Sequence, residues 1–179
     1  FGKYGQIGKK FINYSLTPIS IEIDEKEDPV LIQGGESHSA ILSLTSKLYL
    51  FGKNTFGQLG LGNNNYVYYP ILNQISVSIK VNKVSLGGDH TLILTEDSNL
   101  YSWGLNVFGQ LGLGDFLARN LPTKIDQNQF LEFFNNKADK RDSSNTEIIV
   151  EIAVGAQHTI ILSNLNKIYS CGYSRNFSL

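Results

Sequence analysis

The stretch "WGLNVFGQLGLGD", Trp103–Asp115, decides how this chain is to be read. It sets Gly104, Gly109, Gly112 and Gly114 around a single Gln110. Two readings compete: a glycine-rich loop that cradles a phosphate, or a series of turns with no chemistry. The order around Gln110 is G-x-x-G-x-G, whereas a dinucleotide fingerprint is G-x-G-x-x-G between a strand and a helix. No helical pattern follows Gly114; "DFLARNLP" leads straight to Pro122. More decisively, the stretch recurs. "FGKNTFGQLGLGN" fills Phe51–Asn63, placing Gln58 and Gln110 52 residues apart. A shorter "YGQIG" ends at Gly8, and its Gln6 precedes Gln58 by the same 52 residues. A phosphate site is needed once, whereas a turn is needed in every repeat. The glycines are therefore assigned to positive φ and close backbone packing. Gln58 and Gln110 are assigned to hydrogen bonds with backbone groups of those turns.

The period holds elsewhere. Pro18, Pro70 and Pro122 keep it, as do His38 and His90. It then breaks: His158 follows His90 by 68 residues, and Cys171 follows Trp103 by 68. The last unit thus carries 16 extra residues, located between Pro122 and His158. The units are the tail of a preceding one at 1–8, then 9–62, 63–114 and 115–179, with an insertion at 126–147. The second half of that insertion is polar and charged and reads as a loop. Its first half sets Phe130, Phe133 and Phe134 on one face of a short helix. These rings either pack on the domain that carries them or form a partner-binding excursion, since long loops often carry function.

Each unit holds short β-type runs. In the second, Tyr68–Ile75, Ile79–Gly87, His90–Thr95 and Asn99–Gly104 read as strands. Glu96, Asp97 and Ser98 make a polar hairpin turn between the last two. The same hairpin recurs at His38–Gly52 and His158–Gly172. About four short strands per unit of about 50 residues is the pattern of propeller blades.

Composition sets wider bounds. With 179 residues, 41% hydrophobic and 17% charged, the chain is globular. A net charge of -1 argues against a strongly electrostatic nucleic-acid binder. The single cysteine, Cys171, excludes an internal disulfide and fits a reducing compartment. No apolar run is long enough to span a bilayer, and "FGKYGQIGKK" is unlike a secretory signal. The chain has no methionine and begins and ends inside motifs, so it is expected to be a piece of a longer intracellular protein, cytoplasmic or nuclear.

The paired motifs resemble the regulator of chromosome condensation family. That family couples a GxxH[ST] element to an aromatic-Gly-x-Asn-x-x-Gly-Gln-Leu-Gly element. The first stands here at Gly35–Ser39, Gly87–Thr91 and Gly155–Thr159; the second is complete at Phe51–Gly60 and Trp103–Gly112. The last copy diverges, with Ser174 in place of Asn54 and Asn106 and Phe177 in place of Gly57 and Gly109. Lys10 stands where Gly62 and Gly114 stand. The resemblance implies an all-β partial β-propeller of about three to three and a half four-stranded blades, a fragment of a seven-bladed ring.

The remaining candidates have plain structural readings. His38, His90 and His158 each follow a glycine by three residues and open a strand. Spread over successive blades, they cannot converge on one catalytic or metal site. They are expected to be buried imidazoles bonded to a neighbouring blade. Phe51, Trp103 and Cys171 share one blade position, expected to pack between blades. Cys171 has no basic neighbour in sequence to activate it. The acidic run Ile21–Pro29, with Glu22, Asp24, Glu25, Glu27 and Asp28, reads as a solvated loop, with a basic partner as the alternative.

The expected function is a non-enzymatic module for protein–protein interaction or scaffolding within a larger protein or assembly, with no cofactor and no metal. Its partner is a protein, with no membrane and no direct nucleic-acid contact. The resemblance also implies an alternative: guanine-nucleotide exchange on a Ran-like small GTPase. That activity needs no covalent chemistry, only preference for the nucleotide-free GTPase. No exchange-active residue carries over, because such residues lie in unit-specific loops. A family ultraviolet sensor clusters tryptophans with arginines; this chain has one Trp, so that reading is set aside.

Overall fold

In a computed structural model of the protein, residues 2–130 and 147–174 are described. They form eleven strands in three antiparallel sheets, with short helical segments at 75–78 and 128–130. The first sheet joins β1 (Pro29–Gly34), β2 (His38–Ser43), β3 (Leu48–Gly52) and β4 (Val67–Leu72) in that order. After α1 (Ile75–Ser78), the second repeats it with β5 (Val81–Leu86), β6 (His90–Thr95), β7 (Leu100–Gly104) and β8 (Arg119–Lys124). Among the described residues the third has β9 (Ile149–Val154), β10 (His158–Ser163) and β11 (Ile168–Gly172). Three successive up-and-down sheets of this kind are the blades of a partial propeller.

The pairing shows how the motif period maps onto the sheets. Tyr101 pairs with Lys124 and Gly104 with Arg119, so β8 completes the second sheet although it follows the glycine motif at Trp103–Asp115. Tyr49 pairs with Leu72 in the same way. The run Tyr68–Ile75 therefore belongs to the sheet before it. The strand ends at Leu72 because Asn73 turns the chain: its Oδ1 accepts from the Ile75 amide at 3.0 Å and its Nδ2 donates to the Leu59 carbonyl at 2.7 Å.

The sheets stack face to face, which explains the burial of the middle one. One cluster between the first and second sheets holds Leu42, Leu50, Val84, Leu86, Ile93 and Trp103. Another, between the second and third, holds Leu92, Leu94, Leu100, Ile125, Ile149 and Ile161. Both faces of β6 meet a neighbour, so all six of its residues are buried and "HTLILT" loses the alternation of a half-exposed strand. β1 has a neighbour on one face only and is mostly exposed. The hairpins between the second and third strands of each sheet turn on Ser46, Ser98 and Asn166, at φ 63, 61 and 58.

The acidic run is corrected at one residue. Glu27 is buried, taking a hydrogen bond from Thr45 and an ion pair from Lys47. The Lys47 bond, followed by those from Thr45 and Ser43, lowers its carboxyl to about 2. Glu147, at the foot of the third sheet, is held in the same way by Lys167 at 2.7 Å and by the Tyr169 hydroxyl at 2.7 Å. The other four acidic residues of the run, Glu22, Asp24, Glu25 and Asp28, are exposed.

Candidate functional site

The repeated motifs meet at the junctions between sheets, and the histidines explain their spacing. The Gly87 amide donates to the His90 carbonyl at 2.8 Å; Gly35–His38 and Gly155–His158 close the same turn at 2.9 Å. The imidazole then lies directly over the glycine. A Cβ on Gly35 would sit 2.8 Å from the His38 ring and 2.6 Å from the Gly87 carbonyl of the next blade. Gly87 is crowded in the same way by His90 and the Gly155 carbonyl. The x-x between Gly and His is thus one tight turn, and its glycine is sterically required. Gly87→Ala is expected to destabilise the fold by about 3 kcal/mol, as overpacking against ring and backbone does. Chemical denaturation of wild type and variant checks this; equal midpoints would refute it.

Each histidine also ties one blade to the next. His38 Nε2 lies 3.0 Å from Thr91 Oγ1, and His90 Nε2 lies 3.3 Å from Thr159 Oγ1. Thr91 donates its proton to the Gln58 carbonyl at 2.7 Å, and Thr159 donates to that of Gln110 at 2.8 Å. The threonine hydrogen is thereby used, so the imidazole must donate through Nε2–H. That leaves a bare lone pair on Nδ1, which has no partner in either ring. Burial holds these imidazoles neutral, lowering His38 to about 3 and His90 to about 4. Where the N-terminal turn meets the first sheet, Ser39 takes the place of these threonines and donates to the Gln6 carbonyl at 2.7 Å. The expected link to a neighbouring blade is present for His38 and His90. His158 is half-buried in the last described blade.

The glycine stretch is a turn. Gln58 Oε1 accepts from the Phe56 amide at 3.0 Å, and Gln110 Oε1 from the Phe108 amide at 2.9 Å. Asn54 Oδ1 and Asn106 Oδ1 accept from the Leu59 and Leu111 amides, both at 2.9 Å. Gly57, Gly60 and Gly62 all have positive φ, as do Gly109, Gly112 and Gly114. The amides of Phe56, Gly57, Leu59, Gly60 and Gly62, and of Phe108, Gly109, Leu111 and Gly112, are used within the protein, as punctuation requires.

Trp103 fills the first of two comparable junctions. It is fully buried, donates Nε1–H to the Gln58 carbonyl at 2.9 Å and covers Gly60. Cys171 holds the same place at the next junction, half-buried, with Sγ 3.7 Å from the Gln110 carbonyl. Burial pushes its thiol up to about 11, which keeps it protonated and a poor nucleophile at neutral pH. Among the described residues no group of three His, Cys, Asp or Glu side chains could hold a metal ion. No helix among them is long and apolar enough to cross a membrane.

Of the three phenylalanines, Phe130 is described. Its ring packs against Tyr169 at 4.9 Å between centroids and joins the core between the second and third sheets. Phe133 and Phe134 lie outside the described residues. Sequence reasoning missed Tyr169, which touches Phe130 on one side and Glu147 on the other. Those two residues lie near the two ends of the insertion, and their meeting point gave no local signal.

These blades, with their interlocked Gly-x-x-His and Gly-Gln-Leu-Gly turns, define a β-propeller repeat protein. The profile of the regulator of chromosome condensation (RCC1) repeat matches residues 46–94 and 97–162, and a second profile of that repeat matches 81–110 and 149–177. The chain belongs to this family. It is 38% identical over 126 residues to the Ultraviolet-B receptor UVR8 of Arabidopsis thaliana, covering 70% of this chain and 29% of that protein. It is 44% identical over 92 residues to the human X-linked retinitis pigmentosa GTPase regulator, covering 51% and 9%. Among solved structures, Prp20p of Saccharomyces cerevisiae, described with its binding properties to Gsp1p and histones, superposes with a TM-score of 0.70 at 24% identity, covering 94% of this chain and 36% of that one. The chain thus spans about a third or less of these relatives.

Proposed function

We propose that the chain is a non-enzymatic propeller module that binds a protein partner within a larger protein or assembly. The observation that carries this reading is the base of the insertion. Tyr169 packs on Phe130 and bonds Glu147, so the described residues on the two sides of 131–146 meet at one point of the blade. A loop pinned at both feet can be presented without loosening the sheet beneath it. The units 9–62, 63–114 and 115–179 are then the recurring modules, and the insertion is an addition to the last, with Phe133 and Phe134 as its contact residues beyond Phe130. Trp103 is committed to a sheet junction, which supports setting light sensing aside.

Replacing 131–146 by a short Gly/Ser linker is expected to leave the melting temperature unchanged while losing at least one partner recovered by the unaltered protein. Quantitative pull-down with both proteins tests it. Identical partner sets would overturn the role of the insertion, and absence of any stable partner would overturn the module.

Exchange on a small GTPase is the second reading, supported by two relatives described as a GTPase regulator and as binding Gsp1p. Release of labelled guanine nucleotide from a GTPase panel would be accelerated under that reading and unchanged under the first.

A further inference from the structure

The outer edges of the first two sheets occupy the same place in the repeat and carry different chemistry. Residues 54–79, which hold the first glycine stretch, β4 and α1, contain no Asp, Glu, Lys or Arg. The second sheet carries Asp115, Arg119, Lys124 and Asp126 on its outer edge; 52 residues earlier the first has Asn63, Val67, Leu72 and Gln74. Charges such as those flanking β8 are a usual protection of an exposed sheet edge. β4 lacks them and displays Tyr66, Tyr69 and Ile71, at 39%, 61% and 38% exposure. This exposure belongs to the position and not to the end of the array. Leu121, the counterpart of Tyr69, has the first sheet beside it and covers Gly62, yet it is still 56% exposed.

We infer that this charge-free rim is a self-association surface, on which a second copy of the chain packs about a two-fold axis. An uncharged patch is complementary to itself: two copies meet without burying an unpaired ion. The lysines that bound the stretch are held elsewhere, Lys53 by Asp89 at 3.0 Å and Lys80 by Glu96 at 3.7 Å. Lys3 and Lys10 line a cleft with Tyr68, whose side chain alternates to the other face of β4. Tyrosine enrichment and depletion of charge mark the cores of protein interfaces. The Tyr66 ring is already fixed, edge-on to Tyr4 at 5.3 Å between centroids, with its hydroxyl accepting from Thr55 at 3.2 Å. Little freedom is therefore lost on docking. The contact is made by side chains. The Asn73 amide bonds the Leu48 carbonyl at 2.8 Å, so alternation turns the backbone of Ile71 toward β3 and that of Pro70 toward the free edge. Pro70 has no N–H to offer there, which stops a second β4 from extending the ladder. The product is a closed dimer and not a growing sheet. The surface is independent of the function proposed above, since it uses neither the insertion nor a GTPase.

Analytical ultracentrifugation of the 179-residue protein tests it. A monomer–dimer equilibrium is expected, with a Kd on the order of 10 μM. The Kd should stay the same between about 0.05 and 0.5 M salt, because no ion pair crosses the contact. Tyr69→Lys should weaken association about thirty-fold, whereas Leu121→Lys, at the same place on the second rim, should leave it unchanged. Ile71→Lys serves if Tyr69→Lys fails to fold. Replacing 131–146 by a linker should also leave the dimer intact, which separates this surface from the insertion. A monomer at every concentration up to about 1 mM would overturn the proposal and leave the rim to a different protein. So would a dimer that dissociates as salt rises, that persists in a folded Tyr69→Lys or Ile71→Lys variant, or that is lost with Leu121→Lys or with 131–146.

Discussion

Trp103→Ala is expected to cost about 4 kcal/mol, within the range for removing a large buried aromatic side chain. The indole is fully buried among residues of the first two sheets, so its loss opens a cavity where two blades meet. It also removes one of the two donors to the Gln58 carbonyl, leaving Thr91 as the other. For a chain of this size the loss corresponds to about 12 °C in melting temperature. Trp103→Phe should cost less, because Phe51 shows that a phenyl ring is accepted at the equivalent place in the first blade. Circular dichroism is the suitable readout, since Trp103 is the only tryptophan and its fluorescence disappears with it. A melting temperature of Trp103→Ala close to wild type would show that the junction does not hold the blades together.

The second large effect is pH dependence. His38 and His90 are neutral in the fold, with pKa values depressed from 6.5 to about 3 and about 4 by burial. Below pH 6.5 the unfolded chain takes up two protons that the folded chain refuses. Stability contributed by these groups is therefore complete above pH 6.5 and is lost as pH falls toward 4. Well inside that window the slope approaches about 1.4 kcal/mol per pH unit for each histidine. The physical obstacle is the bare Nδ1: a proton there would make a buried N–H with no acceptor. Carboxylates held low, such as Glu27 at about 2, add their loss only below about pH 4.5. Urea unfolding between pH 7.5 and 5 isolates the histidines. His90→Gln should be less stable at neutral pH and should show about half the wild-type slope. Equal stability at pH 7 and pH 5 in the wild type would contradict this account.

Much of this arrangement was legible in the chain because it is local and repeated. The Gly-x-x-His spacing encodes a single turn closed by one hydrogen bond, and His90–Thr95 reads as a strand with the bounds it has. The shared register of Phe51, Trp103 and Cys171 located the sheet junctions. What escaped is non-local. The pairing of β4 with β3 is invisible to periodicity, which marks a strand but not its partner. Burial of Glu27 depends on Lys47 and Thr45, so a charge run alone reads as solvated. Phe130 and Glu147 meet through Tyr169, which lies 39 residues after the first and 22 after the second, beyond the reach of local periodicity.

The overlap between motif period and sheet has a consequence for how such a chain can lengthen. β8 follows the second glycine motif, yet hydrogen-bonds to β7 that precedes it. A tandem duplication whose ends fall just after a glycine motif, as those of 63–114 do, therefore copies a closing strand, β4, for the sheet before it and three opening strands, β5 to β7, for the sheet after it. Every internal blade then straddles an old copy and a new one. A freshly duplicated segment is stitched into the array at once, and it cannot separate as an independent bead on a string.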